Sequence, residues 1–257
     1  MDKELISADG NKYTLPIGDY TRLVELGCDE DDLELYHYFM VARQEYLYPT
    51  DKYKLNRIDR ESLSMVHWQR DAMAIIVLDL DRRNRKPYSI TVMLLNSNLE
   101  IYRKHFPFET FLFLEDGESP PSDLLVGWKA GMRFKTFLRL FDKWYKKANL
   151  GMTPVGEPVK ILPIFANERQ LFACRELFTP DVFDEFFEKP YRVLSMLAAY
   201  ENDKTTMQGK SAPIFGKHTY TQLAAKLSLP IPRNCRGSER AMHIARVYKK
   251  LTERMHT

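Results

Sequence analysis

Apolar positions along this chain fall into two kinds of pattern, short unbroken or alternating runs and longer stretches at helical spacing. Residues 5–16, LISADGNKYTLP, place Asp9-Gly10 between two β-capable runs, which predicts a small N-terminal hairpin. Ala74-Ile75-Ile76-Val77-Leu78 is continuously apolar and bounded by charge, the signature of a buried central strand. Tyr88 to Leu95 follows after DRRNRKP and reads as its antiparallel neighbour, and Thr110 to Leu114 is a third run. Glu157 to Phe165 carries Pro158 and Pro163, which cannot donate to a ladder and so predict a strand near a sheet edge.

The helical stretches alternate with these runs. In CDEDDLELYHYFMVARQEYLYP, Leu33, Tyr36, His37, Met40 and Val41 recur at helical spacing, Asp29 to Asp32 sit at the positive end of the helix dipole, and Pro49 closes the segment. YPTDKYKLNRIDRESLSMVHWQRDA reads as a linker with a short helix. Lys129 to Ala148 predicts an amphipathic helix with Phe134, Phe137, Leu138, Phe141, Trp144, Tyr145 and Ala148 inward. Arg133, Lys135, Arg139, Lys143, Lys146 and Lys147 occupy its other face. Helices are expected from Asn167 to Phe178, from Thr179-Pro180 with Thr179 as N-cap, and from Tyr191 to Tyr200. In the last fifth of the chain, Thr219 caps a helix Tyr220–Leu227 with Leu223, Ala224 and Leu227 inward, and Ser228-Leu229-Pro230 turns. Ser238 then caps a longer helix with Ala241, Ile244, Ala245, Tyr248, Leu251 and Met255 inward. Arg240, His243, Arg246, Lys249, Lys250 and Arg254 are left for its exposed arc. The expected fold is α+β, a mixed central sheet covered by helices, with a small basic C-terminal helical module. Polar, small-residue composition at Glu201–Pro213 puts the boundary between an α+β body, 1–203, and that module, 204–257.

Charge sharpens this division. Residues 210–257 hold ten Lys/Arg against two acids, Glu239 and Glu253, a formal +8, whereas the 28 bases and 33 acids of residues 1–209 give −5. An acidic body with a basic tail predicts a polyanionic partner. TYTQLAAKLSLP resembles the first helix and turn of a helix-turn-helix unit, in which a second helix enters the major groove. It departs from the compact form: nine residues, Leu229 to Gly237, precede Ser238. Phosphate contacts are expected from Arg233, Arg236, Arg240, Arg246, Lys249 and Lys250, and base reading from the Ser238–Lys250 helix. Arg82, Arg83, Arg85 and Lys86 in one loop, and the Arg133–Lys147 helix face, are candidate extensions of that surface.

Composition removes other classes. Eleven glycines and no Walker or dinucleotide loop argue against a glycine-rich nucleotide fold, and no run approaches the ~20 apolar residues of a membrane span. The N-terminus lacks a signal-peptide profile, and Cys28, Cys174 and Cys235 are widely separated, which predicts reduced thiols in a cytoplasmic protein. No cofactor is implied. The favoured function is therefore non-catalytic nucleic-acid binding, DNA ahead of RNA, as a regulator, a replication or mobility accessory factor, or a nucleoprotein-complex subunit. One alternative is a scaffold that self-associates or binds proteins through exposed aromatics such as Trp144, Tyr145, Phe186 and Phe187. Another is a metal-dependent phosphoryl-transfer enzyme. Asp79 and Asp81 would share one face at a strand end, with Glu115 or Asp116 as third acid.

Overall fold

The computed structural model describes residues 2–43, 72–81, 86–96, 99, 107–112, 131–148, 150–152, 156–189, 192–195, 197–198, 219–232 and 235–255. Strands β1 (Asp2–Ile6) and β2 (Lys12–Pro16) pair antiparallel as the expected hairpin. Its turn closes through Gly10 N–H to Ser7 O and Ser7 N–H to Asn11 O, both 2.9 Å, with Gly10 at φ +78°. Helices α1 (Ile17–Glu25) and α2 (Glu30–Arg43) follow, and α1 had no counterpart in the sequence reading.

The remaining strands are β3 (Ala72–Leu80), β4 (Pro87–Leu95), β5 (Phe108–Phe111), β6 (Ile161–Phe165) and β7 (Arg192–Val193). They form one mixed sheet in the order β5-β4-β3-β6-β7, so the fold is α+β. β3 and β4 are neighbours joined only by residues 81–86, too short for a parallel crossover, and so run antiparallel. β3–β6 and β6–β7 are parallel, with Ala74 opposite Pro163 and Ile164 opposite Arg192. The proline-bearing strand is thus next to the edge, flanked on its outer side by a two-residue strand. β7 takes the first residues of the helix expected from Tyr191, because Arg192 and Val193 pair with the end of β6, and Leu194, Ser195, Leu197 and Ala198 after it are helical as expected.

Helix α3 (Phe134–Ala148) buries Thr136, Phe137, Leu140, Phe141, Trp144 and Ala148. Its inward face is rotated from the expected one: Phe134 is exposed and Leu140 is enclosed. Phe108 of β5 meets the rings of Phe137, Phe141 and Trp144 edge-on at 5.2–5.9 Å. Helix α4 (Glu168–Phe178) is capped by Asn167, whose side chain accepts from Gln170 N. Thr179, expected to cap α5 (Pro180–Phe186), makes no side-chain cap bond and sits at φ +63°. Phe178, Phe183, Phe186 and Phe187 form one buried ring cluster, so Phe186 and Phe187 are not surface aromatics, and Trp144 is buried too. That removes most of the patch on which the scaffold reading rested.

Contacts cluster into two compact units: residues 1–66, 79–90 and 103–149, and residues 67–78, 91–102 and 150–257. The expected 203/204 division runs through the second, and residues 201–213 themselves lie outside the described residues. In that unit α6 (Tyr220–Lys226) and α7 (Gly237–Met255) share a core with the sheet: Leu223, Leu227, Ile244, Val247 and Leu251 pack with Ile75, Val77, Met93 and Ile164. The tail helices are core elements of this unit.

α1 and α6 end alike. Cys28 N–H reaches Leu23 O and Gly27 N–H reaches Val24 O, while Leu229 N–H reaches Ala224 O and Ser228 N–H reaches Ala225 O. Both are Schellman caps with the pivotal residue left-handed, Gly27 at φ +73° and Ser228 at φ +59°. Ser228 carries a Cβ where glycine is unstrained. Ser228→Gly is expected to raise stability by about 0.5–1 kcal/mol, read as a higher urea midpoint at unchanged slope.

Candidate nucleic-acid interface

Thr219 and Gln222 build a capping box at the start of α6: Thr219 Oγ1 accepts from Gln222 N, and Gln222 Oε1 accepts from Thr219 N at 3.0 Å. From there the chain is tied to α7 through His243. Its Nε2 lies 2.8 Å from Leu229 O, which can only accept, so Nε2 carries the proton and Nδ1 accepts from the Tyr220 hydroxyl. Burial, first of all, pushes the Tyr220 phenol upward, keeping it a donor. His243 is only 4% exposed. Its expected place on the exposed arc is therefore corrected: the ring bridges two tail elements. Lys250 Nζ also turns inward and donates to Leu227 O at 2.5 Å.

The expected phosphate ligands are distributed unevenly. Arg236 and Arg246 are exposed, Arg240, Lys249 and Lys250 half-buried, and Arg233 lies outside the described residues. Lys226, on the last turn of α6, adds another exposed cation. Of the loop cations only Lys86 is described. It is exposed, with its carbonyl accepting from Asp81 N at 2.9 Å, while Arg82, Arg83 and Arg85 lie outside the described residues.

The α3 stripe has a different fate. Arg139, Lys143 and Lys147 recur every fourth residue, one row about 6 Å apart on the helix. The hairpin turn and the start of α2 cover that row with acids. Arg139 meets Asp9 at 3.1 Å, Glu34 at 2.5 Å, and Asp31. Lys143 meets Asp29 at 3.0 Å and Asp31; Lys147 meets Asp32, and Asp29 at 3.6 Å. Arg139, Lys143 and Lys147 are thus paired within their own unit, while Arg133, Lys135 and Lys146 stay exposed, Lys146 beside Asp142 of the same helix at 2.6 Å, so only half of the expected stripe remains at the surface. Burial works against ionising Asp9 and Asp29. Bonds from Thr136 and Arg139 to the first, and from Lys143 and Lys147 to the second, outweigh it and hold both below the usual range. Burial wins at Glu34, 1% exposed, whose carboxyl is pushed upward, and at Lys147, whose ammonium is pushed downward.

Helix α2 also carries His37, whose Nδ1 lies 3.1 Å from Thr14 O and whose ring burial lowers its pKa to about 4. The unfolded chain binds a proton near the ordinary value of about 6.5, so the stability contributed by neutral His37 is complete above that pH and lost as pH falls from 6.5 to 4. Glu34 and Asp19, raised by burial, act with opposite sign in part of this window. The difference between wild type and His37→Gln therefore isolates the histidine. We expect it to change by on the order of 2 kcal/mol between pH 6.5 and 4 in urea titrations.

At the end of β3, Ser89 Oγ donates to Asp79 Oδ2 at 2.9 Å and Asp81 is buried. Glu115 and Asp116 lie outside the described residues, and among the described residues no three His, Cys, Asp or Glu side chains gather to hold a metal. No disulfide joins Cys28, Cys174 and Cys235. Among the described residues no helix is long and apolar enough to cross a membrane.

No protein-family model matches the chain, and no curated protein matches its sequence.

The site is argued from its own chemistry: exposed cations on α6, on the connection to α7 and on α7, mounted on helices whose opposite faces form the core. What sequence reasoning missed here is the His243 bracket, since it placed that ring on the exposed arc and gave Tyr220 no partner.

Proposed function

We propose that this chain is a non-catalytic nucleic-acid-binding protein of the cytoplasm, a regulator, accessory factor or nucleoprotein-complex subunit, and that its C-terminal stretch supplies the phosphate contacts. The observation that carries this reading is the +8 charge of residues 210–257 against −5 for the rest of the chain. Exposure of Lys226, Arg236 and Arg246 supports it, since cations held at a surface are those able to replace the counterions of a polyphosphate. The pairing of Arg139, Lys143 and Lys147 with carboxylates of their own unit weighs against those three as phosphate ligands and so favours the tail.

Fluorescence anisotropy of a labelled DNA duplex, titrated with the full chain at several salt concentrations, tests it. Binding is expected to weaken steeply with salt, and the triple variant Lys226→Gln, Arg236→Gln, Arg246→Gln to lose about 0.9 of log–log slope per contact removed. Equal affinity and slope for the two proteins, or no binding at low salt, would refute the reading.

A further inference from the structure

The tail presents α7 in a way that bears on what kind of nucleic-acid contact it can make. A helix that reads bases must lay a free face, wide enough to carry several side chains, into the major groove. Around α7, Ser238, Ala241, His243, Ile244, Ala245, Val247, Tyr248 and Leu251 are all buried. At about 100° per residue these directions cover well over half of the circumference. Among the side chains described on α7, only Glu239, Arg246 and Glu253 are exposed. They stand seven residues apart, so they form one nearly straight row along the helix, acid–base–acid. Half-buried Arg240, Lys249 and Lys250 flank the row, and Lys250 already donates to Leu227 O. A groove is walled by phosphates, and although α7 as a whole carries more cations than acids, the two carboxylates of its outermost row oppose entry along that row.

We infer that α7 does not enter a groove, and that the tail holds duplex DNA by its phosphate backbone alone, without regard to sequence, through Lys226, Arg236 and Arg246. This rests on the nucleic-acid reading above and specifies its ligand class. The exposed cations lie on three different segments: the last turn of α6, the residue before α7, and the middle of α7. Such a spread matches charge neutralisation along a backbone, which needs cations but no common face. Glu239 and Glu253 then act as brakes on affinity, because each places a carboxylate on the same row as Arg246, two helical turns or about 10 Å away, within reach at low salt.

Competition anisotropy with the full chain and three duplexes of equal length and unrelated sequence, at one low salt concentration, tests this. The three are expected to compete within about threefold of each other, the range of non-specific binding. Glu239→Gln with Glu253→Gln is expected to tighten all three together by about three- to tenfold, whereas Arg246→Gln weakens all three together. These acids and Arg246 are surface groups, so the variants fold. Discrimination of about a hundredfold or more among duplexes, abolished by an α7 substitution, would overturn the inference while leaving the nucleic-acid reading intact. So would unchanged affinity in the double Glu variant. No competition by any duplex would overturn both.

Discussion

Ile244→Ala is expected to destabilise the second compact unit by about 2–5 kcal/mol, and a chain ending at residue 209 is expected not to fold that unit at all. Ile244 is fully buried in a cluster with Leu223, Leu227, Val247 and Leu251 from the tail and Ile75, Val77, Met93 and Ile164 from the sheet. Truncation to alanine removes transfer energy and leaves a cavity the rigid sheet cannot close. Removing α6 and α7 entirely would expose the apolar faces of β3, β4 and β6 to water, at about 25 cal/mol per Å² uncovered. Urea unfolding followed by circular dichroism measures the first effect, and hydrogen exchange over residues 72–78 and 161–165 measures the second. Native protection of those strands in the truncated chain would contradict the shared core. The consequence for function is practical: binding must be mapped with surface substitutions in the full chain, since a truncation removes fold and charge together.

Arg139→Met carries the second large effect. The guanidinium serves Asp9, Asp31 and Glu34 at once, and Glu34 is 1% exposed, with its Oε1 meeting no hydrogen-bond partner among the described residues. Five carboxylates already share three cations in this network. Losing Arg139 leaves Glu34 as a buried charge without its partner, which costs about 3–5 kcal/mol, against at most about 1 for a surface pair. Glu34→Gln alone is expected to cost far less, and to recover much of the loss when combined with Arg139→Met, because a neutral amide needs no counterion. A double-mutant cycle in urea reads this directly. Additive losses would mean the pair is not coupled.

Much of the architecture was legible because it depends on local patterns. The apolar run Ala74–Leu78, the Asp9-Gly10 turn and the Thr219 cap each fix their element within a few residues, and each appears where expected. What the sequence hid depends on long-range partners. α3 was found, yet its inward face was misjudged, since Phe134 and Leu140 compete for burial and β5 decides between them through Phe108. Its basic row looked like an open binding stripe because acids more than a hundred residues away are invisible to a window. His243 looked exposed for the same reason: one ring satisfies both Tyr220 and Leu229, and that need is set by the packing of α6 on α7. For the candidate site, charge was readable in the sequence, while the division into exposed cations and cations turned inward or held by buried acids was not. Lys250 and the α3 row drop back, and Lys226 comes forward.

That division makes the most direct test of where nucleic acid would touch this protein. Amine-reactive footprinting of the full chain, with and without a saturating DNA duplex at low salt, compares lysines of both kinds in one experiment. The expected result is protection of Lys226 with Lys143 and Lys147 unchanged. Protection of Lys143 and Lys147 instead, or of no lysine in the tail, would contradict it.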